Sequence, residues 1–186
     1  MDPQLAKELL NKAIYAIAIS SVLICIYVSI RFEWRFAIAA IIAILHDAFM
    51  VIAVFAIFRL EVNLPFLAAV LTTIGYSIND KIVIFDRIRE NLRFAKLKTS
   101  EDIANLVNDS IWQTMARNIN TVLVVLVAAI CLYLFGSESI KLFALAKIIG
   151  LASGGYSSIF IACSLWYLFK RNSMAATKKK VAANNS

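Results

Sequence analysis

The chain has 186 residues, 61% of them apolar and 17% charged, with a mean hydropathy of +0.79. A soluble domain of this length carries more charge and lacks apolar runs of this extent, so the composition excludes a soluble enzyme or binding module. The net charge of +7 does not point to nucleic acid, because the basic residues cluster between apolar segments rather than along one polar face.

A polar N-terminus leads into residues 13–30, 18 consecutive uncharged positions. At about 1.5 Å per helical residue this run crosses most of a hydrocarbon core, and it reads as a membrane span rather than a cleavable leader. The basic turn Arg31–Arg35 follows, and then a second span, about 36–58, which holds one charged residue, Asp47. After the turn Arg59–Asn63 a third span, about 63–86, opens near Pro65, where a missing N–H is harmless in the first helical turn. A charged connecting segment of about thirty residues comes next. Within it Thr99 and Asp102 predict a capping box, and Ile103, Leu106, Val107, Ile111 and Met115 recur at helical spacing. They predict an amphipathic connecting helix on the inner face. The fourth span, about 117–136, ends at Gly136. The fifth, about 142–169, carries a small-residue face of Gly150, Ser153, Gly154, Gly155, Ser157 and Ser158, suited to close helix packing. Residues 172–186 are expected to form a disordered tail. The fold class is therefore all-α: a polytopic bundle of five transmembrane helices over 1–171.

Charge sets the expected orientation. Of the 19 Lys and Arg residues, 13 fall on one side: Arg31 and Arg35, six from Arg87 to Arg117, and five from Lys170 to Lys180. Only Lys7, Lys12, Arg59 and Lys141 fall on the other. The positive-inside rule then puts the N-terminus outside and the C-terminus in the cytoplasm, with Lys178–Lys180 available to anionic headgroups. Cys25, Cys131 and Cys163 stand singly in three spans, without metal-ligand or disulfide spacing, and read as small apolar filler.

The polar residues inside the spans carry the chemistry. An ionised carboxylate at bilayer depth is unfavourable by roughly 2.5–3.5 kcal/mol on insertion scales, and such groups usually serve a proton, an ion or a partner. The second span holds His46 and Asp47. The third holds Asn79, Asp80 and Lys81, and the fourth begins with Arg117 and Asn118. Tyr76, Asp80 and Arg87 share one helix face, and Gly75 on the neighbouring stripe is expected to admit another helix closely. Asp80 and Arg117 lie at similar depth on successive spans, which predicts a contact between them. A carboxyl held between burial and a guanidinium changes protonation when helices shift, so Asp80 is the expected proton site and Arg117 its partner. Asp47, His46 and Asn79 are candidate relay members. Lys81 reads as a charge-compensating or snorkelling neighbour, and Lys147 as a snorkelling side chain near the outer interface. Asp86, Arg87, Arg89 and Glu90 are expected to form a boundary charge network.

GYSINDKIVIFDRIREN at 75–91, with ILHDAF at 44–49, ARNINT at 116–121 and YSSIFIA at 156–162, resembles the SecD/SecF family of bacterial protein-export membrane subunits, in its SecF-type branch. Two positions depart from the usual pattern: Lys81 and Asn118 each stand where the family commonly has threonine. The likeness runs from about Pro3 to Phe169 and covers five of the six helices expected of a SecF-type subunit, without its extracytoplasmic domain. It implies a membrane domain of the resistance-nodulation-division type in the bacterial cytoplasmic membrane, not an enzyme and without a cofactor, driven by the proton-motive force. It also implies work on unfolded secretory polypeptide beside a SecD-type subunit and the SecYEG channel, with SecA and YidC nearby, and roles for Asp80 and Arg117 in proton flow. Half of a proton-coupled exporter of lipids or small molecules, or a structural assembly subunit of the translocon, remain alternative readings.

Overall fold

The computed structural model describes residues 3–31, 33–95, 97 and 99–184. Helices account for 93% of the structure, and no strand occurs among the described residues. They are α1 (Pro3–Arg31), α2 (Trp34–Ile57), α3 (Leu64–Phe94), α4 (Ser100–Phe135), α5 (Glu138–Ser157) and α6 (Cys163–Asn184). A single π turn, Ser158–Ala162, joins α5 to α6 as one rod. Four stretches are long and apolar enough to cross a membrane: Trp34–Ile57, Leu64–Phe94, Ser100–Phe135 and Ile140–Ala176. The apolar part of α1, Ile14–Ile30, is shorter.

Local chemistry sets the helix ends. Asn63 caps α3 by accepting from the Phe66 amide at 3.0 Å, with Pro65 in the first turn. Thr99 and Asp102 form the capping box expected of them, at 3.1 and 2.8 Å. The turn after α2 closes with Arg59 N–H donating to Ala56 O and Leu60 N–H to Phe55 O. Arg59 occupies the left-handed region there, at φ 50°, a position usually given to glycine.

Four helices, α1, α3, α4 and α6, run further than the sequence suggests. The polar N-terminus is helical from Pro3, supported by a Glu8–Lys12 pair at 2.7 Å one turn apart. The connecting helix and the fourth span are one helix, because no Gly or Pro interrupts residues 100–135. At 31 and 36 residues, α3 and α4 reach about 46 and 54 Å. A hydrocarbon core is about 30 Å thick, so they project beyond it as a helical hairpin. Residues 172–184, expected to be disordered, continue α6. Ala and Lys in this stretch favour helix, and Arg35 donates to Ser173 Oγ at 2.9 Å. The Lys178–Lys180 side chains lie outside what the structure describes.

The core has two parts. At the basic end, Phe36 stacks on the fully buried Trp166 and tilts against Phe85, both at 4.9 Å between centroids. At the opposite end Phe55 and Phe66 meet at 4.4 Å between α2 and α3. The α5 rod packs on α2, α3 and α4. Its approach to α3 depends on two glycines: a Cβ on Gly150 would lie 2.3 Å from Thr73 Cγ2, and one on Gly154 would lie 3.2 Å from Ser77 Cβ. The small-residue face is thus a packing surface. Gly75 is not part of it, contrary to expectation: it is exposed, and a Cβ added there would meet nothing within 4 Å.

Candidate functional site

The glycine contact between α3 and α5 brings serine hydroxyls to the centre of the bundle. Ser77 and Lys81 are one turn apart on α3, so both side chains face the same way. Asp47 on α2 meets them. The Lys81 ammonium lies 3.0 Å from Asp47 Oδ2, and both side chains are 0% exposed. Ser153 donates to Asp47 Oδ1 at 2.9 Å and Ser157 to Oδ2 at 2.8 Å, while Ser77 donates to the same Oδ2. His46 Nδ1 stands 3.2 Å from Asp47 Oδ1 with its ring about one-third exposed. The π turn begins beside this cluster at Ser158, and Ser157 and Ser158 are both buried. A buried ion pair survives desolvation only when its remaining lone pairs and protons find partners. Here the serines of α3 and α5 supply them.

Asp80 sits on the other side of Ser158. It is 5% exposed and lines a cavity of about 190 Å³ with Asn118, Ile119, Val122 and Leu123 of α4 and Gly155, Ser158 and Ile159. Among the described residues it forms no hydrogen bond or ion pair. Asn118, which lines the same cavity, has its Oδ1 buried without a hydrogen-bond donor. Asp80 and Asn118 thus line one apolar cavity between α3 and α4.

The expected Asp80–Arg117 contact is not made. Successive helical residues point about 100° apart, so Asn118 faces Asp80 while Arg117 turns outward. Arg117 is exposed in a groove with Asn79, Asp86, Arg87, Glu90 and Gln113. Asn79 diverges from Asp80 in the same way. The structure thus separates the predicted site residues into three groups: Asp47 with His46, Asp80 alone in its cavity, and Asn79 with Arg117 in the groove. Lys81 does compensate charge: it pairs directly with Asp47, and its charge also acts on the adjacent Asp80 without a hydrogen bond to it. Lys147 lies over the Tyr76 ring at 4.4 Å. The boundary network is local, with Arg87–Glu90 at 2.6 Å and Arg89–Asp86 at 3.1 Å. It reaches α4 through Arg87 Nε, which donates to Gln113 Oε1 at 2.6 Å, and Asn91, which donates to Ser110 Oγ at 2.8 Å.

Sequence reasoning missed the roles of Ser77, Ser153, Ser157, Ser158 and Asn118. One signal was available. A lysine in mid-span needs a counter-ion and further acceptors, and serines at 153, 157 and 158 on a glycine-lined face could deliver them.

These features define an integral, multi-pass helical membrane protein with ionisable groups enclosed between its helices. The family model for the protein export membrane protein SecD/SecF, C-terminal, matches residues 1–172, and the chain belongs to this family. It is 54% identical over 184 residues to the protein translocase subunit SecF of Alicyclobacillus acidocaldarius, covering 98% of this chain and 60% of that one. It is 51% identical over 170 residues to the protein translocase subunit SecDF of Bacillus subtilis, covering 91% of this chain and 23% of that one. The crystal structure of SecDF, a translocon-associated membrane protein from Thermus, superposes with a TM-score of 0.82 at 39% identity, over 90% of this chain and 23% of that one. The chain thus spans 60% or less of the length of these relatives.

Proposed function

We propose that this chain is the C-terminal membrane part of a SecF-type accessory subunit of the bacterial protein translocase, and that it couples the proton-motive force to helix movement through Asp80. One observation carries the coupling: a buried carboxyl without a hydrogen bond among the described residues lines one cavity, bounded by α3, α4 and α5, with an asparagine whose amide oxygen is buried without a donor. A proton on Asp80 removes the charge and creates a donor for Asn118 Oδ1, which favours closing α4 and the α5 rod onto α3. Loss of the proton removes that donor and leaves a charge in an apolar cavity, which favours opening. Two arrangements with different proton affinity are what coupling requires. The membrane potential adds roughly 2.3 kcal/mol per charge per 100 mV. Arg117 and Asn79, in the adjoining groove, are suited to stabilise the departing charge on the basic side.

The distribution of Lys and Arg supports a C-terminus in the cytoplasm and an N-terminus outside. The names of the relatives support a SecD-type subunit as partner. The SecYEG channel, SecA, YidC, anionic lipids and the emerging secretory polypeptide are the further partners this reading requires. The test compares wild type with Asp80→Asn and Asn118→Leu in the complete complex, measuring proton flux into vesicles and secretion together. Both variants are expected to assemble, to lower proton flux at least tenfold and to lower secretion with it. Normal flux and secretion in an assembled Asp80→Asn complex refute the coupling and leave a structural role in assembly.

A further inference from the structure

The Lys81 ammonium has more oxygens around it than it has protons to share. Asp47 Oδ2 and Ser157 Oγ lie at 3.0 Å, Ser77 O and Ser158 Oγ at 3.4 Å, and Ser77 Oγ is also in contact. These are five oxygens for three N–H groups.

The hydroxyl protons are committed elsewhere. Ser77 and Ser157 donate to Asp47 Oδ2, and Ser158 donates to Gly154 O at 2.6 Å. Each serine can therefore present only a lone pair to Lys81. The residues supplying the cage are all nearly or fully buried. One carboxylate, one carbonyl and three hydroxyl lone pairs converging on a single buried point form the donor set of a hard monovalent cation. The spacing suits an ammonium or an alkali ion of similar size.

We propose that this cage is a monovalent-cation site which the chain fills with its own Lys81 ammonium. The wild-type bundle then needs no bound alkali ion to hold α2, α3 and α5 together, and shortening Lys81 opens the cage to potassium, sodium or free ammonium. This inference does not depend on proton coupling at Asp80.

The experiment measures thermal unfolding of the purified full chain in choline, sodium, potassium and ammonium chlorides at equal ionic strength, with rubidium binding measured in parallel. Wild type is expected to unfold at one temperature in all four salts and to bind no rubidium. Lys81→Thr is expected to unfold lower in choline and to regain about 3–5 °C, saturably, in at least one of the small cations, the gain that ligand linkage gives a chain of this size. It is also expected to bind rubidium, and Asp47→Asn in the same background abolishes both effects. Lys81→Met, which refills the space without a charge, is expected to show no cation dependence. Identical unfolding of Lys81→Thr in all four salts overturns the proposal, as does a cation-specific gain in wild type. If Lys81→Thr does not fold in choline, recovery of folded protein on purification in potassium or ammonium supports the site, and failure in every salt overturns it.

Discussion

Replacing Gly150 with alanine tests whether the α3–α5 contact positions the buried cluster. The added Cβ falls 2.3 Å from Thr73 Cγ2 and 2.7 Å from Thr73 Oγ1, more than 1 Å short of ordinary contact at the first atom. Thr73 is itself buried, so α5 must move away from α3 by about that amount. Overpacking of this kind costs about 1–3 kcal/mol. Ser153 and Ser157 lie one and two turns further along α5 and hold Asp47 at 2.9 and 2.8 Å. A displacement near 1 Å takes those bonds out of range, and each bond to a charged acceptor contributes about 1.5–3 kcal/mol. Against this, Gly→Ala in a helix gains about 1 kcal/mol. The expected net loss is about 3 kcal/mol or more, read from reversible unfolding in mixed micelles. Gly155→Ala is the internal control, because its Cβ meets only Val122 at 3.8 Å, and it should be neutral or slightly stabilising. Thr73→Gly removes the clashing atoms and should restore most of the loss in the Gly150→Ala background, giving a coupling energy above about 1 kcal/mol. Equal stability of Gly150→Ala and Gly155→Ala, or no recovery in the double variant, refutes the reasoning.

Trp166→Ala removes a fully buried ring stacked on Phe36 and should destabilise by about 3–5 kcal/mol in the same unfolding assay. Asp47→Leu alone leaves the Lys81 charge buried without its counter-ion and should lose about 3–5 kcal/mol, whereas Asp47→Leu with Lys81→Met should recover a large part of that. Thr99→Ala opens the capping box of α4 and should cost about 1 kcal/mol. Its local signature is faster amide hydrogen exchange in the first turn from Ser100, with little change near Asn118.

Much of the bundle was legible in the sequence because its determinants are local. Uncharged run lengths located the four helices long and apolar enough to cross a membrane, and Pro65 and the Thr99–Asp102 pair marked helix starts through chemistry confined to one turn. The continuation of the connecting helix into the fourth span was also written locally, in the lack of Gly or Pro from Ser100 to Phe135, but apolarity alone divided it at Arg117. The length of α6 was obscured in the same way, since a polar, Lys-rich stretch is compatible with either helix or disorder until Ser173 meets Arg35.

The residue sequence alone determined that Asp47, Asp80 and Lys81 lie within membrane-crossing helices, and that Ser77 and Lys81 share a face, because helical periodicity fixes angles along one helix. It did not determine which partner each would find. Lys81 could face the adjacent Asp80 or Asp47 on another helix, and Asp80 could meet Arg117 or Asn118 equally well by depth. Those choices depend on how each helix is rotated about its own axis against its neighbours. That rotation is set by close packing at Gly150 and Gly154, by the π turn at Ser158 and by the aromatic contacts of Phe36 with Phe85 and Trp166. Turning α4 by one residue, about 100°, exchanges Asn118 for Arg117, and only the tertiary structure decides between an unpartnered carboxyl and an ion pair.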